Sequence, residues 1–343
     1  MEEAIIIEKS VIIVAVFAIT MLFAMYCTLA ERKIAAWIQD RRGPNRAGPG
    51  GMLQPLADGL KLFAKEEFMP NTPNTFLFVL GPFISMTMAL MTSAVIPWGD
   101  TLEIAGRKVI LQAADINVAM LYVFAVLSVS VYGIMIGGWA SNNKYSLISA
   151  MRVASQMISY EIAMGLSIVA VLMMHSSMSL REIAAGQHEM HWNIFYQPLG
   201  FFIFLICSFA ETNRTPFDLA ECEQELIGGY HTEYSSMRMG FFLFAEYAAM
   251  FISSTLLAVL YLGAYNYPGM TWAAENWGEN TANIIGIAVL FIKICFFIFL
   301  YMWVRWTIPR FRYDQLMNLG WKTLIPLAIL NIVVTAVVLL LNR

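Results

Sequence analysis

Residues 284–304 read IIGIAVLFIKICFFIFLYMWV, an apolar run in which Lys293 is the one charged residue. A helix needs about 20 mostly apolar residues to cross the hydrocarbon layer of a bilayer. The run meets that length, and it lacks the strict alternation of apolar and polar residues that marks a lipid-facing barrel strand. It therefore predicts a membrane-spanning helix.

The rest of the chain has the same character. Of its 343 residues, 59% are hydrophobic and only 13% are charged, which is too little polar surface for a soluble globule of this size. We therefore predict an all-α integral membrane protein, a single membrane domain that forms a bundle of eight transmembrane helices. The predicted spans are roughly 5–30, 75–97, 116–139, 154–174, 197–211, 239–263, 284–304 and 323–341.

The distribution of positive charge predicts the orientation. Fifteen of the 21 Lys and Arg residues lie in the loops after the first, third, fifth and seventh spans, and five lie on the opposite side. By the positive-inside rule, the first set of loops faces the cytoplasm or matrix and both termini face outward. Glu2 and Glu3 stand where a cleavable signal would have a basic segment, so we expect the first span to be retained.

The inner loop 31–70 is predicted to be structured. Its breaker-rich turn 43–51 cannot be regular helix, and the segment that follows repeats apolar residues at spacings of three and four, at Leu53, Leu56, Leu60 and Phe63. This pattern predicts an interfacial amphipathic helix. Its role is either that of a membrane-surface anchor or that of one wall of a cavity.

The inner loop 211–238 is strongly acidic and directly follows an apolar run. Thr215 can cap a helix that has Pro216 in its first position, and Gly228 with Gly229 would end it. Such a helix crowds several carboxylates, which repel one another when all are ionised. At least one is then expected to hold a proton near neutral pH, unless the loop is fully solvated.

Ionisable residues also lie inside the spans. Glu161, Glu246 and Lys293 fall within the fourth, sixth and seventh spans, and Glu211 ends the fifth. A charge at the bilayer centre costs about 2.5–3.5 kcal/mol on insertion scales, so such residues face the bundle interior or water. They predict a proton relay. The alternative is a structural salt bridge of Lys293 with Glu161 or Glu246.

No cofactor site is predicted within this chain. The four cysteines are scattered and the four histidines make no ligand set, so we expect no bound metal, haem, flavin or nucleotide. Any electrons that the protein handles must then come from partner proteins.

Two motifs carry a family resemblance. The first reads ERKIAAWIQDRRGPNR over residues 31–46 and continues through Gln54, Asp58, Lys61, Lys65 and Glu66; the second is the stretch 211–225 with Glu233 and Tyr234 after it. Together they resemble the membrane subunits that form the quinone chamber of respiratory complex I, the proton-translocating NADH:quinone oxidoreductase. The resemblance covers nearly the whole chain.

That resemblance implies two groups of functional residues. The chain would form part of the quinone-binding chamber and a carboxylate-rich path that couples quinone reduction to proton translocation. The chamber or its mouth would be lined by Glu31, Arg32, Arg41, Arg46 and Asp58. The proton or charge relay would comprise Glu211, Asp218, Glu221, Glu223, Glu225, Glu233, Glu161, Glu246 and Lys293.

The resemblance also implies the surroundings. We expect ubiquinone or menaquinone as substrate, iron–sulfur clusters and FMN in partner subunits, and the bacterial inner membrane as location, with both termini periplasmic. The expected partners are the peripheral-arm iron–sulfur and quinone-site subunits, antiporter-like and small membrane subunits, and the lipid bilayer; no nucleic acid is expected. A related subunit of a membrane-bound hydrogenase or formate-linked complex, a stand-alone secondary transporter and a purely structural anchor are the alternatives.

Overall fold

The structure, a computed structural model, describes residues 2–70, 74–104, 106–219 and 228–342. Helices dominate this part of the chain. The helices are α1 (Glu2–Ile38), α2 (Gln54–Ala64), α3 (Thr75–Thr92), α4 (Ala119–Ala140), α5 (Lys144–His175), α6 (Leu180–Ala185), α7 (Asn193–Tyr196), α8 (Pro198–Glu211), α9 (Ser236–Tyr261), α10 (Met270–Trp277), α11 (Glu279–Thr307), α12 (Tyr313–Asn318) and α13 (Ile325–Leu341). A small antiparallel hairpin pairs β1 (Thr101–Ile104) with β2 (Arg107–Ile110).

Seven helices in the described ranges are long and apolar enough to cross a membrane: α1, α3, α4, α5, α9, α11, and α12 to α13 as one continuous rod. The predicted all-α membrane architecture is confirmed. The fifth predicted span corresponds to α8, which is apolar but has only 14 residues. At 1.5 Å per residue, α8 is about 21 Å long and shorter than the roughly 30 Å hydrocarbon layer.

The loops gather at two ends of the bundle. At one end Ser236 Oγ donates to the Leu62 carbonyl over 2.9 Å, and at the other Lys9 Nζ donates to the Gln112 carbonyl over 2.8 Å. We call the first the acidic-loop end; it holds residues 39–70, 141–143, 212–219, 228–235 and 308–312. We call the second the hairpin end; it holds residues 96–104, 106–118, 176–197 and 262–278.

The crossing of α3 and α4 is very close. The spacing of Gly133 and Gly137 predicts such a contact, because small residues let two backbones approach. A Cβ built on Gly81 would lie 2.9 Å from the Gly137 Cα and 3.0 Å from the Gly133 carbonyl oxygen. A Cβ on Gly133 would collide with Ser85 Oγ. The prediction is confirmed, and both helices need glycine here.

The predicted helix that starts at Thr215 is wrong over its described part. Residues 212–219 form turns. The fully buried Gln156 explains the difference, because its Nε2 donates to the carbonyls of Ala210 and Phe217 over 2.8 and 2.9 Å. These bonds satisfy a buried amide and hold the backbone in a non-helical path. The rest of the predicted helix falls on residues 220–227, outside the described residues.

The amphipathic segment forms α2, as predicted. Its apolar residues Leu56, Leu60 and Phe63 are 49%, 70% and 71% exposed, so they do not pack on the bundle. An exposed apolar stripe of this kind suits a helix that lies in the membrane interface. The opposite face of α2 turns toward α1 and α9.

Candidate functional site

A cavity of about 340 Å³ lies between α1, α2 and α9; we call it the lateral cavity. Apolar side chains such as Met25 and Phe244 line part of it. Its polar wall includes Arg32, whose Nη1 lies 2.7 Å from Asp58 Oδ2 in an ion pair that is partly open to solvent. The cavity can therefore hold a molecule with both an apolar and a polar part.

Glu31 sits beside this cavity in a buried charge cluster. Helical geometry turns consecutive residues about 100° apart, so Arg32 faces the lateral cavity while Glu31, only 6% exposed, points into the bundle. Its Oε1 lies 2.6 Å from Arg305 Nη1 and its Oε2 lies 3.2 Å from Arg214 Nη1. The hydroxyl of Tyr247 donates to Oε2 over 2.9 Å. We call these residues the Glu31 cluster.

Tyr247 connects the cluster to the cavity. Its side chain lines the lateral cavity, its hydroxyl bonds Glu31, and the guanidinium of Arg214 lies 4.2 Å from its ring centroid. A change of charge inside the cavity is thus one residue away from Glu31. In this low-dielectric setting such a change acts more strongly than it would in water.

The structure does not bring Arg41 and Arg46 to the other predicted chamber residues of this chain. Both lie in the exposed turn after α1, and Arg41 Nε donates to Gln39 Oε1 over 2.7 Å. They face outward at the acidic-loop end. From this position they are free to contact another molecule.

A smaller cavity of about 50 Å³ lies deeper in the bundle; we call it the internal cavity. Its lining includes Glu211 and Glu246, and Tyr230 donates its hydroxyl to Glu246 Oε1 over 2.9 Å. Glu211 is 5% exposed, and its buried Oε2 has no hydrogen-bond partner among the described residues. A cavity of this volume is large enough for water, which such a carboxyl oxygen would accept as a partner.

Glu161 belongs to the same region. The hydroxyl of Ser128 on α4 donates to its Oε1, and Glu161 is near enough to Glu211 for the two side chains to interact electrostatically. Glu161, Glu211 and Glu246 thus come from α5, α8 and α9 to one part of the bundle, and their role as titratable sites stays a prediction.

The acidic loop contributes two further described carboxylates. Asp218, 3% exposed, forms an ion pair with Arg310, with 3.2 Å between Oδ2 and Nη2. Glu233 accepts a 2.8 Å hydrogen bond from Asn143 Nδ2. The other predicted members, Glu221, Glu223 and Glu225, lie outside the described residues.

Lys293 lies apart from these carboxylates. Its Nζ donates to the carbonyls of Leu262, Ala264 and Asn266 over 2.6, 2.8 and 2.7 Å, and lies 4.8 Å from the ring centroid of Trp192. These groups belong to the hairpin end, just after the C-terminus of α9, where the helix dipole favours a cation. No carboxylate of the described residues forms a salt bridge with Lys293.

Sequence reasoning missed the partners of the carboxylates. Arg214, Arg305 and Arg310 were counted only for their side of the membrane, although the structure makes them ion-pair partners. Arginine at the ends of spans is a weak signal for such pairs, since it also serves the positive-inside rule. Tyr230 and Tyr247 carry no sequence signal, because their roles depend on which helices pack together.

Comparisons with known proteins show the family of the chain. The profile of the NADH dehydrogenase family matches residues 11–336. The H subunit of the NADH-quinone oxidoreductase of Flavobacterium psychrophilum is 74% identical over 343 residues, covering 100% of both chains. Its counterpart in Flavobacterium johnsoniae is 74% identical over 99% of this chain and 97% of its own length, and that of Leptospira biflexa is 49% identical over 95% and 93%. The chain therefore belongs to the NADH dehydrogenase family, as a membrane subunit of the NADH-quinone oxidoreductase type.

Proposed function

We propose that this membrane subunit forms part of a quinone-binding chamber and the start of a carboxylate path that couples quinone reduction to proton translocation. One observation carries the proposal: the lateral cavity and the buried Glu31 cluster share Tyr247. An amphiphilic substrate in the cavity would lie next to a charge cluster that responds to its reduction.

The lateral cavity suits a quinone in its chemistry. The isoprenoid tail would lie against apolar residues such as Met25 and Phe244, and the head group would meet the Arg32 and Asp58 pair. The exposed apolar stripe of α2 supports an opening toward the bilayer. Arg41 and Arg46, which face outward, would lie at the mouth of the chamber toward the peripheral-arm subunits.

Reduction of the quinone changes the charge near Glu31. An anionic reduced head group attracts the guanidinium groups of Arg214 and Arg305, which Glu31 holds in the resting arrangement. When the two guanidinium groups move away from Glu31, the local charge changes. This change would favour proton uptake or loss at nearby buried carboxylates. In the proposed path these are Asp218, Glu221, Glu223, Glu225 and Glu233, followed by Glu211 and Glu246 at the internal cavity and by Glu161, which interacts electrostatically with Glu211.

The proposal extends to the surroundings of the subunit. The electrons come from iron–sulfur clusters and FMN in peripheral-arm subunits, and the charge change is passed to antiporter-like membrane subunits. The quinone is ubiquinone or menaquinone. The subunit lies in the bacterial inner membrane with both termini periplasmic, because most basic residues fall on the acidic-loop end. Lys293, held by backbone carbonyls at the hairpin end, lies outside this part of the path in the proposal.

The path is tested by replacing Glu211 or Glu246 with Gln in the intact complex. Each replacement keeps the size of the side chain but removes the titration, so we expect proton pumping in proteoliposomes to fall at least about tenfold. NADH oxidation coupled to quinone is measured in the same vesicles. Glu275→Gln, at an exposed position of α10, is the control. Undiminished pumping in both Glu211→Gln and Glu246→Gln would rule out the path.

The chamber is tested separately with a photoreactive long-chain quinone. We expect labelling of peptides from α1, α2 and α9, and loss of that labelling when excess unlabelled quinone is present. Labelling confined to helices that do not border the lateral cavity would contradict the proposed chamber, whatever the result for the carboxylates.

A further inference from the structure

Helix α3 contains a proline whose effect on the backbone has to be balanced elsewhere. Pro82 is buried within α3 and has no N–H, so the carbonyl of Phe78 loses the donor that an α-helix normally supplies from four residues ahead. A buried carbonyl without a donor is costly, so a partner from outside the helix is needed.

The hydroxyl of Tyr234 supplies that donor. It lies 3.0 Å from the Phe78 carbonyl oxygen, and the Tyr234 ring stacks on the Phe78 ring with centroids 4.1 Å apart and planes 4° from parallel. Both side chains are buried, at 4% and 0% exposure. Burial raises the pKa of Tyr234, so the phenol keeps the proton that it donates.

The surroundings are shaped to this hydroxyl. A Cβ on Gly137 would lie 3.2 Å from the Tyr234 hydroxyl oxygen and 2.9 Å from Cζ of Phe242, whose ring meets the Tyr234 ring edge to face at 5.0 Å. The glycine that lets α3 and α4 cross closely thus also leaves room for the phenol.

Tyr234 lies in the segment that carries the partner of Glu246. Its backbone N–H donates to the His231 carbonyl over 2.9 Å, which closes a turn directly after Tyr230. Tyr230 in turn bonds Glu246 at the internal cavity over 2.9 Å, and its ring meets Phe242 at 5.2 Å. Both tyrosines therefore pack on the same phenylalanine of α9.

We propose that Tyr234 is a positioning residue: its hydroxyl occupies the carbonyl that Pro82 leaves free, and this bond holds residues 228–235 so that Tyr230 stays on Glu246. The proposal deepens the carboxylate path and rests on it for its effect on turnover. The bond itself does not depend on that path, so the two can fail separately.

The bond predicts a specific rescue. Tyr234→Phe leaves the Phe78 carbonyl buried without its donor whenever residues 228–235 pack against α3. The variant therefore favours a state in which this segment is not packed there. Pro82→Ala returns an N–H to that carbonyl within α3. When residues 228–235 pack against α3 in the double variant, the Phe78 carbonyl is no longer unpaired. The double variant should therefore recover most of the coupled turnover that Tyr234→Phe loses.

The experiment is a double-variant cycle in the intact, purified complex. We expect Tyr234→Phe to lower coupled NADH:quinone turnover about fivefold, the loss of one hydrogen bond, and the Pro82→Ala/Tyr234→Phe complex to return to within about twofold of Pro82→Ala alone. The infrared band that disappears in Glu246→Gln should shift in Tyr234→Phe and return in the double variant. If the Tyr234→Phe complex does not assemble, the yield of assembled complex replaces turnover as the measured quantity. It is compared among Tyr234→Phe, Pro82→Ala and the double variant, and the same rescue is expected.

Tyr160→Phe is the matched control. Tyr160 is also fully buried and donates its hydroxyl to a backbone carbonyl, that of Leu316, over 2.9 Å, but this carbonyl also accepts the N–H of Leu319. Pro82→Ala should not rescue this variant. Tyr234→Phe could lower turnover by the same factor with proline and with alanine at position 82, or Pro82→Ala could restore Tyr160→Phe equally well. Either result would contradict the assignment of Tyr234 as the donor to the Phe78 carbonyl. The infrared band could shift in Tyr234→Phe and return in the double variant while Glu246→Gln pumps protons normally. That result would support the bond between Tyr234 and the Phe78 carbonyl and reject the carboxylate path.

Discussion

The two ends of the bundle both bury polar and charged groups, but they satisfy them in different ways. At the acidic-loop end, Glu31 is held by two arginines and a tyrosine, and the internal cavity is bordered by Glu211 and Glu246. These partners are side chains, which can change rotamer or charge. The contacts at this end are therefore able to respond to a ligand.

At the hairpin end, the buried side chains of Gln187 and Lys293 have backbone partners. Gln187 donates to the Val259 carbonyl over 2.9 Å and accepts from the N–H groups of Asn193 and Gly263 over 3.1 and 3.0 Å. Lys293 is held by backbone carbonyls in the same way. Backbone groups of a packed bundle have no alternative rotamers, so we expect the contacts of Gln187 and Lys293 to form a rigid support.

The partners of a buried charge in a membrane helix thus differ between the two ends. Lys293 and Glu246 both looked like members of a relay in the sequence, since each lies within an apolar span. What separates them is the chemistry of their partners: fixed carbonyls around the lysine, and a tyrosine and a cavity beside the glutamate. The following variants test this contrast.

Replacing Glu31 by Gln should have the largest effect. The change leaves Arg214 and Arg305 without the buried anion between them, and removing one partner of a buried ion pair costs about 3–5 kcal/mol. We expect a large drop in the yield of assembled complex and loss of quinone reduction in what remains. The measurement is flavin-normalised turnover together with the thermal midpoint of the purified complex.

Asp314→Asn is a suitable control for that variant, because Asp314 pairs with Arg312 on an exposed surface at the same end. Exposed pairs contribute little to stability. A Glu31→Gln complex with normal yield and turnover would mean that the Glu31 cluster is no more than a surface-like ion pair.

Replacing Lys293 by Met should reduce stability and leave the chemistry intact. Met fills a similar volume beside Trp192, but the carbonyls of Leu262, Ala264 and Asn266 lose their donor, at a cost of about 2–3 kcal/mol. We expect a lower thermal midpoint with normal turnover and pumping per assembled complex. A normal midpoint with reduced pumping would instead return Lys293 to the relay.

Replacing Asp58 by Asn should have a smaller effect, on substrate binding rather than on stability. The ion pair with Arg32 has side chains 49% and 32% exposed, so its loss should cost less than about 1 kcal/mol. The cavity wall nevertheless becomes more positive, and we expect the KM for a long-chain quinone to change by about threefold with kcat preserved. Unchanged KM in this variant would argue against quinone beside α2.

The fold could largely be predicted from the sequence, because the length and polarity of each span are local properties. The amphipathic pattern from Leu53 to Phe63 also predicts α2 correctly. The segment after Thr215 could not be predicted, since the buried Gln156 of a distant helix takes its carbonyls. A capping pattern describes only the local preference, and a tertiary contact of this kind overrides it.

The membership of the site was easier to predict than its pairing. Apolar surroundings mark Glu161, Glu211 and Glu246 as unusual residues, and the structure brings them to one region. The hydrogen bond from Tyr234 to the Phe78 carbonyl has no sequence signal. Pro82 inside a span does indicate that one carbonyl of that helix needs another donor.

A last comparison concerns the space around one glycine at each end. A Cβ on Gly59 of α2, which borders the lateral cavity, would meet nothing within 4 Å. Gly59→Ala should therefore stabilise α2 by about 0.5–1 kcal/mol through helix propensity. At the hairpin end, a Cβ on Gly286 would lie 2.9 Å from the Tyr265 carbonyl oxygen, so Gly286→Ala should destabilise by about 1–3 kcal/mol. Thermal midpoints of the two complexes give the comparison. Equal thermal midpoints would mean that the hairpin end accommodates an added methyl group as easily as the open side of the lateral cavity. The contacts of Lys293 and Gln187 would then not make that end rigid.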